Sequence, residues 1–481
     1  MTYALHGIET VTTVAGPRPV KEVASGIVGL VGLAPIHHVD PAAAPPAPNK
    51  LAALVTPRHD AKMGPVLAGY DIPTALREHR YEKGGTVVAI NVFDPAVHKI
   101  DVAEATFPIA DGKLQLPHGD LISAVVKKIA DPDVTMTSPA DYTIDRITGL
   151  ISVTAGGQLV GQATAKVAYV RANPAAVDAE DIIGAVSVAG IRSGAKAFLD
   201  SQSKFGYKPR LLIAPSFSGD ASVRSELADL ASKLRAFAIC DVPAGTSLED
   251  AIEGRLPSGT VDLQSTNGRV VFVYPQYYVP VPGGRELVPF SPGYAACVAR
   301  TDREVGFHKS PSNRTLERVS GLEVDLTVSL DDATADVQRL NAAGITTIYS
   351  GGEKGYRVFG NRSAAFPGNE GIMSFVSAQR TVDMVSEAIE GACFEYLDGV
   401  IGPALIQSVL ADVNAYVRQL ITRGALISGS YVAYRPEDNP TEDLQTGKIK
   451  FFRADCPPPP AEHITWLHVV DTTLLANIFG G

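Results

Sequence analysis

At 481 residues, 45% apolar and 20% charged, the chain is long enough for several domains and apolar enough to bury a large core, which excludes disorder and collagen-like fibres. A formal charge of −10 speaks against a protein that coats nucleic acid, since phosphate binding takes clustered lysine and arginine. Cys240, Cys297, Cys393 and Cys456 lie far apart with no CxxC pair, so reduced thiols are expected rather than a disulfide framework or a cysteine metal site.

Residues 7–14 alternate as a strand does and run into Gly16-Pro-Arg-Pro19, which predicts a projecting N-terminal arm over 1–22. The start lacks the basic and apolar stretches of a secretory signal, and the apolar run at 23–35 is shorter than the roughly 20 residues a bilayer requires. A cytoplasm-like compartment is therefore expected. A buried strand at 23–35, a proline-rich loop at 40–48, a helix at 73–79 and a strand at 86–93 form the first part of a core, 23–95. From 96 to 173 the texture changes to short alternating strands, including a hairpin over 141–153 and a strand at 162–171, which predicts an inserted β-rich outer domain.

Strands and helices alternate again from 174 to 355. Helices are expected at 182–199, 221–234 and 247–254, and strands at 210–214, 235–240 and 269–274; Ser329-Leu-Asp-Asp332 reads as the start of a further helix. In the segment 356–447, Val382, Val385, Ile389 and Tyr396 recur at helical steps, as do Ile406, Val409, Val413 and Leu420, before a strand at 426–433 and a turn at 436–440. The remainder, 448–481, reads as a C-terminal arm. Its strands at 448–453 and 463–470 are separated by Pro457 to Pro460, which hold an extended spacer rather than a tight turn. The expected fold class is α/β and α+β, multidomain: an α/β core with a mixed sheet, the β-rich insertion, and extended N- and C-terminal β-arms.

Signatures of chemistry are missing from the sequence. The glycines at 26, 29 and 32 do not form GxGxxG, and close strand packing explains them. His37-His38 has no HxxxH companion and is flanked by prolines, so an exposed loop is expected and not zinc. No GxSxG elbow marks a nucleophile. No catalytic, cofactor-binding or metal-binding residue is predicted. The alternative, an α/β enzyme with a β-rich insertion acting on a small-molecule substrate, would need a convergent polar cluster that the sequence does not name.

Several motifs in fixed order carry a resemblance: GIVGLVGLAP at 26–35, FGYKPRLLIAP at 205–215, SPSNRTL at 310–316, LNAAGITTI at 340–348, GYRVFGNR at 355–362, FVSAQRTVDM at 375–384 and NPTEDLQTGKI at 439–449. Together they resemble the contractile tail sheath family of bacteriophages and phage-like bacteriocins. That resemblance implies a structural polymer of the virion, assembled in the host cytoplasm: stacked six-subunit rings around an inner tube, which contract to drive the tube through a cell envelope without a cofactor. Implied partners are further copies of the chain, the inner tube protein, and baseplate and tail terminator proteins, with no nucleic acid and no membrane insertion. The resemblance also implies arms that add strands to neighbours. These would be Ile8, Thr10, Val11 and Val14 at one end, and Ile449, Phe451, Phe452, Ile464, Trp466, His468 and Val470 at the other, with hinges at 16–19 and 436–440. Asp383, Glu387 and Glu390, on the acidic face of the 382–396 helix, are the candidates for facing the tube.

Overall fold

The computed structural model describes residues 20–129, 133–352 and 355–479; Ile8, Thr10, Val11 and Val14 of the expected N-terminal arm lie outside them. The chain enters the core through β1 (Val28–Gly32) and β2 (Leu51–Leu54), continues through α1 (Pro57–Asp60) and α2 (Ile72–Tyr81), and returns as β3 (Val87–Asn91). Next come β4 (Lys99–Pro108), β5 (Lys113–Gln115), β6 (Leu121–Lys128), β7 (Val134–Thr135), β8 (Tyr142–Asp145), β9 (Leu150–Val153) and β10 (Thr164–Ala172). The α/β texture resumes with α3 (Ala179–Ile183), α4 (Ser201–Phe205), β11 (Leu211–Ile213), α5 (Ala221–Leu234), β12 (Phe237–Asp241), α6 (Leu248–Glu253) and β13 (Val270–Val273). A hairpin of β14 (Tyr277–Val281) and β15 (Gly284–Val288) leads to α7 (Phe290–Val305), β16 (Gly321–Leu322), α8 (Asp336–Ala342), β17 (Ile345–Ser350) and β18 (Tyr356–Phe359). The final elements are α9 (Val376–Cys393), α10 (Pro403–Thr422), β19 (Tyr431–Tyr434), α11 (Thr441–Gln445) and β20 (Phe451–Ala454).

The apolar runs without polar alternation become the middle of one eight-stranded sheet, in the order β18-β17-β13-β12-β11-β1-β3-β2. Pairing is parallel from β17 to β3, and antiparallel at the two outer strands. Such strands need cover on both faces. Leu212 and Val31 point into one apolar cluster with α5, while Leu211, Ile213, Val28 and Leu30 point into a second with α2 and α7. Residues 99–172 form two antiparallel sheets, β4-β10-β6-β7 and β5-β9-β8, around an apolar cluster of their own that includes Leu121, Val126, Ile151 and Val167.

The glycines of β1 are steric necessities. A Cβ on Gly32 would stand 2.3 Å from Oδ1 of Asp71, the carboxylate that accepts from Leu33 N at 2.6 Å.

Several local expectations are corrected. The helix expected over 182–199 is broken after α3, because Gly184 and Gly194 take the left-handed φ values of 73° and 53°, which close the intervening segment into a turn. Asp331 and Asp332 do not start a helix: Ser329 Oγ accepts from the backbone NH groups of both, and α8 begins only at Asp336. His37 and His38 are not on an exposed loop, since the turn carrying them folds beneath Tyr70 and Phe93. Sequence periodicity also missed α7, which is buried around most of its circumference and so carries no polar face to mark it.

Candidate functional site: a two-stranded ribbon and an exposed tail

In α10, Val409, Val413, Tyr416, Val417 and Leu420 fall at three- and four-residue steps and are buried, packing with Met384, Val385 and Ala388 of α9. This apolar seam supports a two-stranded ribbon in which β19 and β20 pair antiparallel, Tyr431 opposite Ala454 and Tyr434 opposite Phe451. Val432 and Phe451 enter the same cluster. The guanidinium of Arg435 lies 3.2 Å from the Phe452 ring centroid, and Arg453 donates to Ser386 of α9 at 2.9 Å.

The two edges of the ribbon differ. At β19 the side chain of Asn414 behaves as a short strand: its amide nitrogen donates to Val432 O at 2.8 Å and its oxygen accepts from Val432 N at 2.9 Å. That edge is plugged. At β20, among the described residues, no strand other than β19 is paired. Phe451 and Phe452, expected on the loose arm, are therefore part of a hairpin fixed to the body, and Ile449 lies in the turn before it, where Asn439 Oδ1 accepts from Lys450 N at 2.7 Å.

Beyond β20 the chain is held at two points. Cys456 O accepts from Ile427 N at 2.9 Å, and Arg362, stacked 3.6 Å from the Phe375 ring centroid, grips Glu462 at 2.6 and 3.0 Å. Past Glu462, residues 463–470 have no regular structure and no ladder. Ile464 is 68% exposed, Trp466 89%, Leu467 93%, Val469 81% and Val470 73%, and His468 is exposed as well. The strand expected at 463–470 is thus unformed, because a ladder needs a second strand and none among the described residues pairs with it. So much apolar surface in solvent marks a contact site.

The acidic row of α9 is not a bare face. Asp383 is paired with Arg269, Glu387 lies 2.6 Å from Arg210 and 3.3 Å from Lys208, and Glu390 accepts from Arg235 at 2.6 and 2.8 Å. Burial alone would raise Glu387, but Arg210 and Lys208 outweigh it and hold its carboxyl below the usual range. These three carboxylates tie α9 to the residues that lead into β11, β12 and β13, with Asp383 and Glu387 largely buried and Glu390 still 58% exposed. Arg380 of α9 makes a deeper tie: it is paired with Asp302 of α7, both side chains 4% exposed, and reaches Ser25 O at 3.1 Å. Arg362 and Glu462, which fix the root of the tail, carried no signal in the sequence because they lie 100 positions apart.

Among the described residues no helix is long and apolar enough to cross a membrane. Residues 175–364 match the phage tail sheath protein central domain. The chain is 38% identical over 483 residues to the tail sheath protein of Burkholderia phage BcepMu, covering 99% of both chains. In fold it is similar to the contracted sheath of the PVC extracellular contractile injection system, with a TM-score of 0.59 at 12% identity over 98% of this chain and 99% of that one. The contracted helical sheath of the anti-feeding prophage gives a TM-score of 0.57 at 16% identity, over 98% and 100%. The full-length match at 38% identity to the BcepMu protein places this one: it belongs to the phage tail sheath family, a structural component of contractile bacteriophage tails and not an enzyme.

Proposed function

We propose that this protein polymerises as stacked six-subunit rings around an inner tube, and that the sheath shortens to drive the tube through a cell envelope. The observation that carries the reading is the complementarity just described: among the described residues β20 offers an open edge, and residues 463–470 offer an exposed apolar segment without a partner. Each supplies what the other lacks. Main-chain hydrogen bonds would give the added strand its affinity, and side-chain pockets its register. Residues 1–22 add a second arm in this reading, with hinges at 16–19 and 436–440, and the β-rich segment 96–173 faces outward. The resting polymer is a metastable lattice that releases free energy on reaching a tighter one, while the exchanged strands keep neighbours linked. Assembly takes place in the host cytoplasm, with the baseplate and a tail terminator as further partners.

The tube contact falls to a different chemistry from the acidic row. With Asp383 and Glu387 paired and largely buried, the outward groups at the end of α9 include Phe394, Leu397 and Val400, which are 72%, 66% and 90% exposed, beside the exposed Glu390, Glu395 and Asp398. Their contact with the tube is apolar.

Electron microscopy of the full chain and of a chain ending at residue 454 tests the assembly reading. Tubes or stacked rings are expected from the first, and a soluble, folded, unassembled protein from the second. Ordered tubes from the shortened chain would overturn it.

A further inference from the structure

His37 and His38 follow one another in the turn at Ile36–His38, their ring centroids 4.1 Å apart. Both set Nε2 against the same oxygen: Asp120 Oδ1 lies 2.7 Å from His37 and 2.8 Å from His38. The second carboxylate oxygen is occupied by Tyr70, whose hydroxyl donates to Oδ2 at 2.8 Å. Oδ1 is thereby left to the imidazoles. The imidazoles are 4% exposed and the carboxylate 28%, so the cluster is nearly sealed but reachable. Asp120 adopts φ +55°, in the left-handed region, and its backbone is pinned by bonds from its N to Ile147 O and from Ala172 N to its O. Aspartate tolerates that conformation better than most residues, and it aims the side chain back across the seam at the histidine turn.

We infer that His37, His38 and Asp120 form a binding site for one divalent transition-metal ion of the zinc class, bridging the central sheet and the β-rich segment. Two imidazole nitrogens and one carboxylate oxygen are the donor set that zinc, cobalt and nickel favour, and water can complete four-coordination. All three donor atoms lie within 4.8 Å of one another. Ligands about 2.0–2.1 Å from a tetrahedral ion sit about 3.3 Å apart, so binding opens the cluster by about half an ångström, within side-chain torsional reach. The Tyr70 hydroxyl on the non-ligating oxygen is the kind of outer partner that orients a metal-bound carboxylate. Burial alone would raise Asp120, but hydrogen bonds with His37, His38 and Tyr70 outweigh it and hold the carboxyl well below its usual range, in the charged form a ligand requires. Phe93 packs against His37 with ring centroids 5.7 Å apart and planes tilted by 47°. Because the imidazoles come from one part of the fold and the carboxylate from another, the ion would fix the angle of the β-rich segment to the core.

The test is a titration of the full chain, freed of metal by chelator and dialysis, with Co²⁺, followed by visible absorption and by melting temperature. Uptake of one Co²⁺ per chain with the intense bands of a four-coordinate site, and a rise in melting temperature, are expected. In Asp120→Asn and His38→Gln, each first shown by circular dichroism to be folded, affinity should fall at least tenfold and the bands should be lost. Absence of stoichiometric uptake by the unaltered chain overturns the inference and leaves a hydrogen-bonded triad. Unchanged bands in both folded variants overturn it equally, by placing the ion elsewhere.

Discussion

Trp466→Ala is the sharpest test of strand exchange. In an extended chain Ile464, Trp466, His468 and Val470 share one face, and Trp466, 89% exposed in the single copy, is the largest side chain on it. If that face is buried on a neighbour, truncation to alanine costs about 3–5 kcal/mol. At about 1.4 kcal/mol per tenfold change, even the lower figure weakens each junction by about 100-fold. The concentration at which pelletable polymer first forms should rise by about the same factor, whereas Trp466→Phe should recover most of the loss. The residue also provides its own reporter, since it is the chain's single tryptophan and its fluorescence should shift to the blue as polymer forms. An onset concentration within threefold of the unaltered chain, with the tryptophan still solvated in the polymer, would refute the reasoning.

The other expectations concern the parts that support the exchange. Asn414→Ala should unplug the β19 edge and leave the NH and CO of Val432 without their partner, costing about 1–3 kcal/mol in denaturant titration and giving irregular aggregates in micrographs; regular tubes of normal stability would contradict this. Arg380→Ala strands Asp302 without its cation inside the molecule, and a loss of about 3–5 kcal/mol in urea unfolding of the unassembled protein is expected, against less than 1 if the pair is dispensable. Asp71 is pushed up to about 7 by burial, despite backbone NH groups that pull it down. Its protonated form is favoured on folding, so this contribution is fully present below the unfolded value near 3.9 and is lost as pH rises through about 7; Asp71→Asn should flatten the stability profile across that window, and an unchanged profile would count against it. An apolar tube contact through Phe394, Leu397 and Val400 should survive high salt, so release of the tube by salt alone would return the contact to charged groups.

The sequence was most legible where one face of an element is apolar and the other is not. α5, α9 and α10 follow their three- and four-residue spacing, and β3, β11, β12 and β13 appear as short apolar runs within a residue or two of their expected ends. Illegible elements were those whose surroundings suppress the pattern: α7 is enclosed by other elements, and the segment after α3 is bent by glycines with left-handed φ. At the candidate assembly surface the apolar tail was readable because β-branched and aromatic residues cluster after a proline spacer. The ribbon proposed to receive it was not. The plugging of β19 depends on one asparagine in a helix, and the pairing of Phe451 with Tyr434 depends on a turn whose closure by Asn439 is a tertiary matter. The acids of α9 show the reverse failure, since charge at helical spacing looks the same whether it meets water or a buried arginine.

Donor and acceptor sit on one polypeptide, only about ten residues apart, with four prolines between them that keep the tail from doubling back onto its own ribbon. If the tail is donated to the next copy without being returned, the junction is head-to-tail, and the series either closes into a ring or runs on until something stops it. An open series built that way would have two unlike extremities, one finishing in vacant β20 edges and the other in dangling Trp466 segments. Its growth would have an intrinsic polarity, and a factor shaped to quench one extremity would be the wrong shape for the other.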